Sequence, residues 1–279
     1  MATLLSHPLV TMPNIHDLAS EYRSDPRSTE ELIALAVAKD IDLDNEEYWK
    51  PIRILQHRLS AEFERFHRLA CSKSQKERDV AATILGQNSV KDKFDVERCQ
   101  MALGEMLSQP DLSCPPLASM LFALGHLKAA GYVAMLLRFQ QHPDADVRYA
   151  VTTSLGGADE ERAIKALIEL SRDDDFDVRN WATFGLGSRT DIDSEEIRLA
   201  LVDRLSETDD EIRGEALVGL VSRRDIRVIE PLLRELNQWR KQPLVKDCAD
   251  KLLGEREEFG PEWHSVLCEL ERVGYKTSN

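Results

Sequence analysis

Few side chains in this sequence could do chemistry. The acidic run Asp173-Asp174-Asp175 could hold a cation through its carboxylates, His57 and His67 lie on neighbouring predicted helices, and Cys71 and Cys99 carry thiols. None of these is arranged for a reaction. The acids stand directly before a helix-forming run, where carboxylates cap backbone N–H groups. The histidines have no metal-ligand spacing, and no base lies near either cysteine in sequence. A Gly-rich phosphate loop, a His-Glu-x-x-His and a Gly-x-Ser-x-Gly are all missing. The expectation is a non-enzymatic protein with no catalytic residue, no metal and no cofactor. What remains is recognition: Trp181 and Phe184 are large rings of the kind that anchor protein interfaces when they are exposed together.

Those rings sit in Asp173 to Gly187, the clearest copy of a pattern that fills most of the chain. Acids open it, Val178, Ala182 and Leu186 follow at helical spacing, and Gly187 is expected to stop the helix. Aligning other segments on Arg179 gives anchors at Arg78, Leu117, Arg148, Arg179, Arg213 and Lys246, spaced by 39, 31, 31, 34 and 33 residues. In most of them Leu-Gly follows seven and eight residues later. Such a period holds two helices and short turns. The partner helices are read at Gly131 to Phe139, Glu161 to Ser171, Ser194 to Leu205 and Asp225 to Leu236. Neither helix of a pair can bury its apolar stripe alone, so the pairs must stack. The fold class is therefore all-α, a right-handed α-solenoid of about six to seven helical hairpins without strands. Its parts are a tail or partial cap over 1–27 and a single solenoid over 28–273. Within the solenoid, 28–59 is an irregular first hairpin, 60–254 the repeats and 255–273 a closing helix. Ser28-Thr29-Glu30-Glu31 and Asp44-Asn45-Glu46-Glu47 open the first two helices, with Pro51 in the early turns of the second.

The segments Asp144-x-x-Val147-Arg148, Asp175-x-x-Val178-Arg179 and Asp209-x-x-Ile212-Arg213 resemble the HEAT repeats of bacterial proteins, in the variant called phycobilisome-lyase HEAT-like. The resemblance covers roughly Ser60 to Gly254, and Leu117 and Lys246 depart from it by lacking arginine. It implies that Arg148, Arg179 and Arg213 bridge neighbouring repeats to acids, with phosphate or carboxylate binding as the alternative. It also implies that the second helix of each pair lines a concave surface. A helical wheel turns Val178, Ala182, Gly185 and Leu186 inward and Asn180, Trp181 and Phe184 outward. With Phe122, Tyr149 and Glu215 at corresponding positions, these residues are the expected partner-binding face. Asp144, Asp175 and Asp209 are expected to be N-caps.

Thirty-six basic against fifty acidic residues give a net charge of −14, which disfavours nucleic acid and anionic membrane and favours a basic protein partner. Five scattered cysteines without a Cys-x-x-Cys pair, and an opening without a basic, apolar leader, suggest a cytoplasmic protein. A monomer is expected. The resemblance adds two narrower possibilities: an immunity protein that neutralises a basic toxin by binding, and a phycobilin-lyase-like attachment of chromophore.

Overall fold

The computed structural model describes residues 22, 24–38, 46–86, 93–109, 112–127, 131, 133–238, 243–255 and 259–272. Most of the 1–27 tail, and the expected Asp44-Asn45 cap, lie outside them. The chain forms two compact units, Met1–Ala129 and Ala130–Asn279. Among the described residues there is helix and no strand.

The first unit contains α1 (Thr29–Ala38), α2 (Glu46–Ala70), α3 (Gln75–Gly86), α4 (Lys93–Leu107) and α5 (Cys114–Leu127). A capping box starts α1: Glu31 Oε2 accepts from the Ser28 N–H at 2.7 Å, and Ser28 Oγ accepts from the Glu31 N–H at 3.2 Å. The second helix does not end near Leu59. It runs on to Ala70, with a break at Glu62 (φ −123°, ψ 26°), whose carboxylate accepts from the Thr29 hydroxyl at 2.7 Å. The apolar stripe of Ile52, Leu55, Leu59 and Phe66 is continuous across that break and wholly buried, so packing carries the helix past the point where its local signals fade. The long interval between the Arg78 and Leu117 anchors holds α4.

The second unit contains α6 (Val133–Leu136) with a 3-10 turn (Leu137–Phe139), α7 (Ala145–Leu155), α8 (Glu161–Leu170), α9 (Phe176–Ser188), α10 (Glu195–Arg204) and α11 (Asp210–Ser222). A 3-10 turn (Ile226–Val228) leads into α12 (Ile229–Gln238); α13 (Pro243–Gly254), a turn (Pro261–Trp263) and α14 (His264–Arg272) complete it. Asp144 accepts from the Asp146 N–H, Asp175 from Val178, Ser194 from Ile197 and Asp209 from Glu211 and Ile212. Four of these helices therefore begin where a short acceptor side chain stands ready for an orphan donor. Behind the caps, Val147, Val151 and Leu155, then Val178, Ala182 and Leu186, then Ile212, Ala216 and Leu220 form fully buried stripes. α9 packs on α7 before it and α11 after it, and also on α8 and α10.

The Leu-Gly positions do more than end helices. Gly187 lies inside α9, because its place is decided by the neighbouring helix: a Cβ there would meet the Glu215 carbonyl oxygen at 2.8 Å. A Cβ on Gly219 would lie 2.6 Å from the Gly187 Cα and 2.9 Å from Leu201 Cδ1. Gly86 of α3 meets Ala123 of α5 in the same manner. Gly86, Gly187 and Gly219 thus mark close approaches between second helices, whereas Gly254 meets nothing within 4 Å and Gly156 serves as the C-cap of α7.

Candidate functional site

The repeated arginines hold the turns of the second unit together. In each, Nη1 donates to the carbonyls six and five residues back: Arg148 to His142 and Pro143, Arg179 to Asp173 and Asp174, Arg213 to Glu207 and Thr208. The rest of each guanidinium reaches toward the next repeat. Arg148 makes a two-pronged bond to Asp173 at 2.8 and 2.7 Å, Arg179 Nε lies 3.6 Å from Glu207, and Arg213 Nε donates to Glu235 at 2.9 Å. Burial is the largest influence on Asp173 and raises its pKa, but the Arg148 hydrogen bonds, the bond from the Asp175 N–H and the charges of Arg148 and Arg179 together outweigh it, and the carboxylate stays below its ordinary value. An open polar recess beside Arg148, lined also by Gln140, Glu169 and Arg172, offers no uncommitted guanidinium, because Arg148 is held by Asp173 and Arg172 by Asp203.

The aromatic residues form a row across α7 and α9. Tyr149 meets Trp181 edge-on with centroids 5.9 Å apart and planes at 85°, and Trp181 meets Phe184 at 5.5 Å and 89°. All three rings are half-buried, each packed against the next with part of its surface left to solvent. Burial, with the Asp177 charge adding to it, pushes the Tyr149 hydroxyl up to about 12, so it stays protonated. Phe122, at the corresponding position of the Leu117 segment, lies half-buried on α5 in the first unit.

Asn180 and Glu215 depart from the expected outward face: both are buried, at 4% and 9% exposure. The wheel placed them away from the stripe of their own helices, but α9 and α11 approach so closely at Gly187 and Gly219 that the flanks between them are also covered. There they face polar partners. Asn180 Nδ2 donates to Glu211 Oε2 at 3.3 Å, and the Ser188 hydroxyl donates to Glu215 Oε2 at 3.1 Å. Burial pushes the Glu215 carboxyl up to about 7, and Asp247 and Glu211 add to the effect against the Ser188 bond. Burial, with Asp209, Asp210 and Asp177 nearby, also raises Glu211.

Arg223, absent from the sequence expectations, is the most heavily bonded cation of this region. It donates to the carbonyls of Leu186, Gly187, Thr190 and Ile192 in the preceding repeat and of Gly219 in its own. It thereby closes the carboxyl end of α9, where carbonyls have no partner within the helix. Its only signal in the sequence is the pair Arg189 and Arg223, each ten residues past an anchor arginine. Among the described residues no group of three His, Cys, Asp or Glu side chains could hold a metal, and no helix is long and apolar enough to cross a membrane.

This geometry of paired helices, capped by aspartate and laddered by arginine, meets a family model at residues 102–187, the model described as HEAT repeats. That stretch is built of HEAT repeats. No curated protein matches the chain. Among solved structures, YibA of Escherichia coli is 24% identical, with a TM-score of 0.66 over 94% of this chain and 93% of that one. An engineered protein is 18% identical with a TM-score of 0.59, over 90% of this chain and 74% of its own. At these identities the likeness is one of fold, an all-α solenoid of the kind that HEAT repeats form.

Proposed function

We propose that the chain is a non-catalytic scaffold that captures a basic protein on the row of helices α7, α9 and α11. The observation that carries this reading is the half-buried chain of rings Tyr149, Trp181 and Phe184, with the Asp177 charge acting on Tyr149 at one end of it and Glu211 held by Asn180, which lies on the same helix as Trp181 and Phe184. Rings already held in place by one another lose little conformational freedom on binding, and they present large apolar area. The acids around them and the net charge of −14 speed the approach of a cationic partner. A scaffold needs no more chemistry than this, which agrees with the commitment of each ladder arginine to the carbonyls of its own turn and to an acid of the next repeat.

The test is affinity capture with the wild-type chain and with a Trp181→Ala, Phe184→Ala variant whose helicity is checked by circular dichroism. The wild type should retain one stoichiometric basic protein and the folded variant should lose it. Equal retention by both would remove the ring row from the reading, and retention of no protein by the wild type at low salt would overturn the reading itself. A toxin neutralised by occlusion is one form such a partner can take; it predicts that co-expression with the chain restores growth to cells that make the captured protein.

A further inference from the structure

The face between α9 and α11 is more specific than a mixed patch of rings and acids. Asn180, Phe184 and Ser188 follow one another at four-residue intervals, so they share one flank of α9. Glu211 and Glu215 do the same on α11. The two flanks meet at two rungs, Asn180 to Glu211 at 3.3 Å and Ser188 to Glu215 at 3.1 Å. Phe184 is the residue between those rungs, and Trp181 buttresses it from the other side with its edge-to-face contact.

The charge around this ring is one-sided. The charged groups acting on Glu211 are Asp209, Asp210 and Asp177, and those acting on Glu215 are Asp247 and Glu211, all of them acids. Other partly buried acids of the unit are paired with arginines: Asp173 with Arg148, Glu207 with Arg204, Glu235 with Arg213 and Asp225 with Arg227. Among the described residues, no ion pair is formed by Glu211 or Glu215. Phe184 thus stands between Asn180 and Ser188, whose bonds hold Glu211 and Glu215, two carboxylates that form no ion pair among the described residues, and a cationic side chain from outside would complete that setting.

The geometry points to Phe184 as the seat of an arginine side chain from the partner protein, its guanidinium lying against the ring and taking Glu211 as acceptor, with Glu215 and Asp177 supplying charge around it. A guanidinium suits this place better than an ammonium because it is planar, weakly hydrated, and can stack on a ring while its edge donates to a carboxylate. This inference rests on the proposed binding role of the same face and names the group that is bound there.

The probe is the pentapeptide acetyl-Gly-Ala-Arg-Ala-Gly-amide, titrated into the isotope-labelled full chain while the backbone amide signals of Phe184, Ser188, Glu211 and Glu215 are followed. Saturable shifts of those signals are expected. The same peptide with citrulline, which keeps the shape and loses the charge, should bind about tenfold more weakly or not at all. The variant Glu211→Gln, Glu215→Gln keeps an acceptor for each rung and should fold, but it should also weaken the arginine peptide about tenfold. Equal shifts with arginine and citrulline, or an unchanged affinity in the double glutamine variant, would overturn the assignment. Equal affinity for the same peptide with lysine in place of arginine would overturn its guanidinium character. Capture of the same partner by the double glutamine variant, together with loss on Trp181→Ala, Phe184→Ala, would leave the binding role standing and remove the arginine seat.

Discussion

The substitution Glu215→Gln should make the protein more stable at neutral and alkaline pH, by an amount the structure allows one to work out. The Glu215 carboxyl is pushed by burial up to about 7 in the folded chain from an ordinary value of 4.5. For an acid with a raised pKa, the folded state binds more protons than the unfolded state between those two values, so stability falls as pH rises through that window. Below pH 4.5 both states are protonated and there is no penalty; above pH 7 the folded state carries the full cost of the buried charge. At about 1.4 kcal/mol for each pH unit that separates the two values, the full cost is about 3 kcal/mol. Glutamine is neutral throughout, nearly isosteric, and still offers an oxygen to the Ser188 hydroxyl. Urea denaturation followed by circular dichroism at pH 4, 6 and 8 is the appropriate assay. Titrating groups remote from Glu215 are common to both proteins and cancel in the difference, while Glu211 and Asp247, which act on Glu215, are relieved of its charge in the variant and shift the difference the same way. Near pH 4 the two proteins should be equally stable; at pH 8 the variant should lead by roughly 2–3 kcal/mol. A difference that does not change with pH would refute the assignment of a buried, unneutralised carboxylate at this position.

Two further perturbations test the packing that makes the face. Gly219→Ala places a methyl group 2.6 Å from the Gly187 Cα and 2.9 Å from Leu201 Cδ1, so α9 and α11 must separate. The expected cost is about 1–3 kcal/mol, read as a lower urea midpoint, and a neutral result would contradict the close approach of the two helices. Arg223→Met removes the donor for the carbonyls of Leu186, Gly187, Thr190 and Ile192 and should destabilise by roughly 3 kcal/mol, while hydrogen exchange at the last turn of α9 accelerates. Unchanged exchange there would mean that water replaces the guanidinium at no cost.

Much of the fold was legible because it depends on interactions between residues close in sequence. An aspartate four residues ahead of an arginine, followed by apolar residues at helical spacing, states a cap, a helix start and a buried stripe within one turn or two. Asp144, Asp175 and Asp209 accept the backbone donors that this reasoning assigns to them, and the recurrence of the pattern required stacked pairs rather than isolated helices. The adjacency of Trp181 and Phe184 was equally local, since residues three apart share a helix face.

The remainder depends on where a second helix passes, which no local pattern specifies. A wheel divides one helix into a buried and an open side, but α9 has neighbours on both flanks. Asn180 and Glu215 are therefore buried by the crossing of α9 and α11, and Gly187 serves that crossing instead of ending its helix. Arg223 binds carbonyls more than thirty residues earlier, and Tyr149 reaches Trp181 only because α7 and α9 lie side by side. The sequence by itself determined the repeat, the caps and the identity of the rings. The tertiary structure alone decided which polar groups meet, setting Phe184 between Asn180 and Ser188 as those two residues bond Glu211 and Glu215, because those relations arise from contact between repeats.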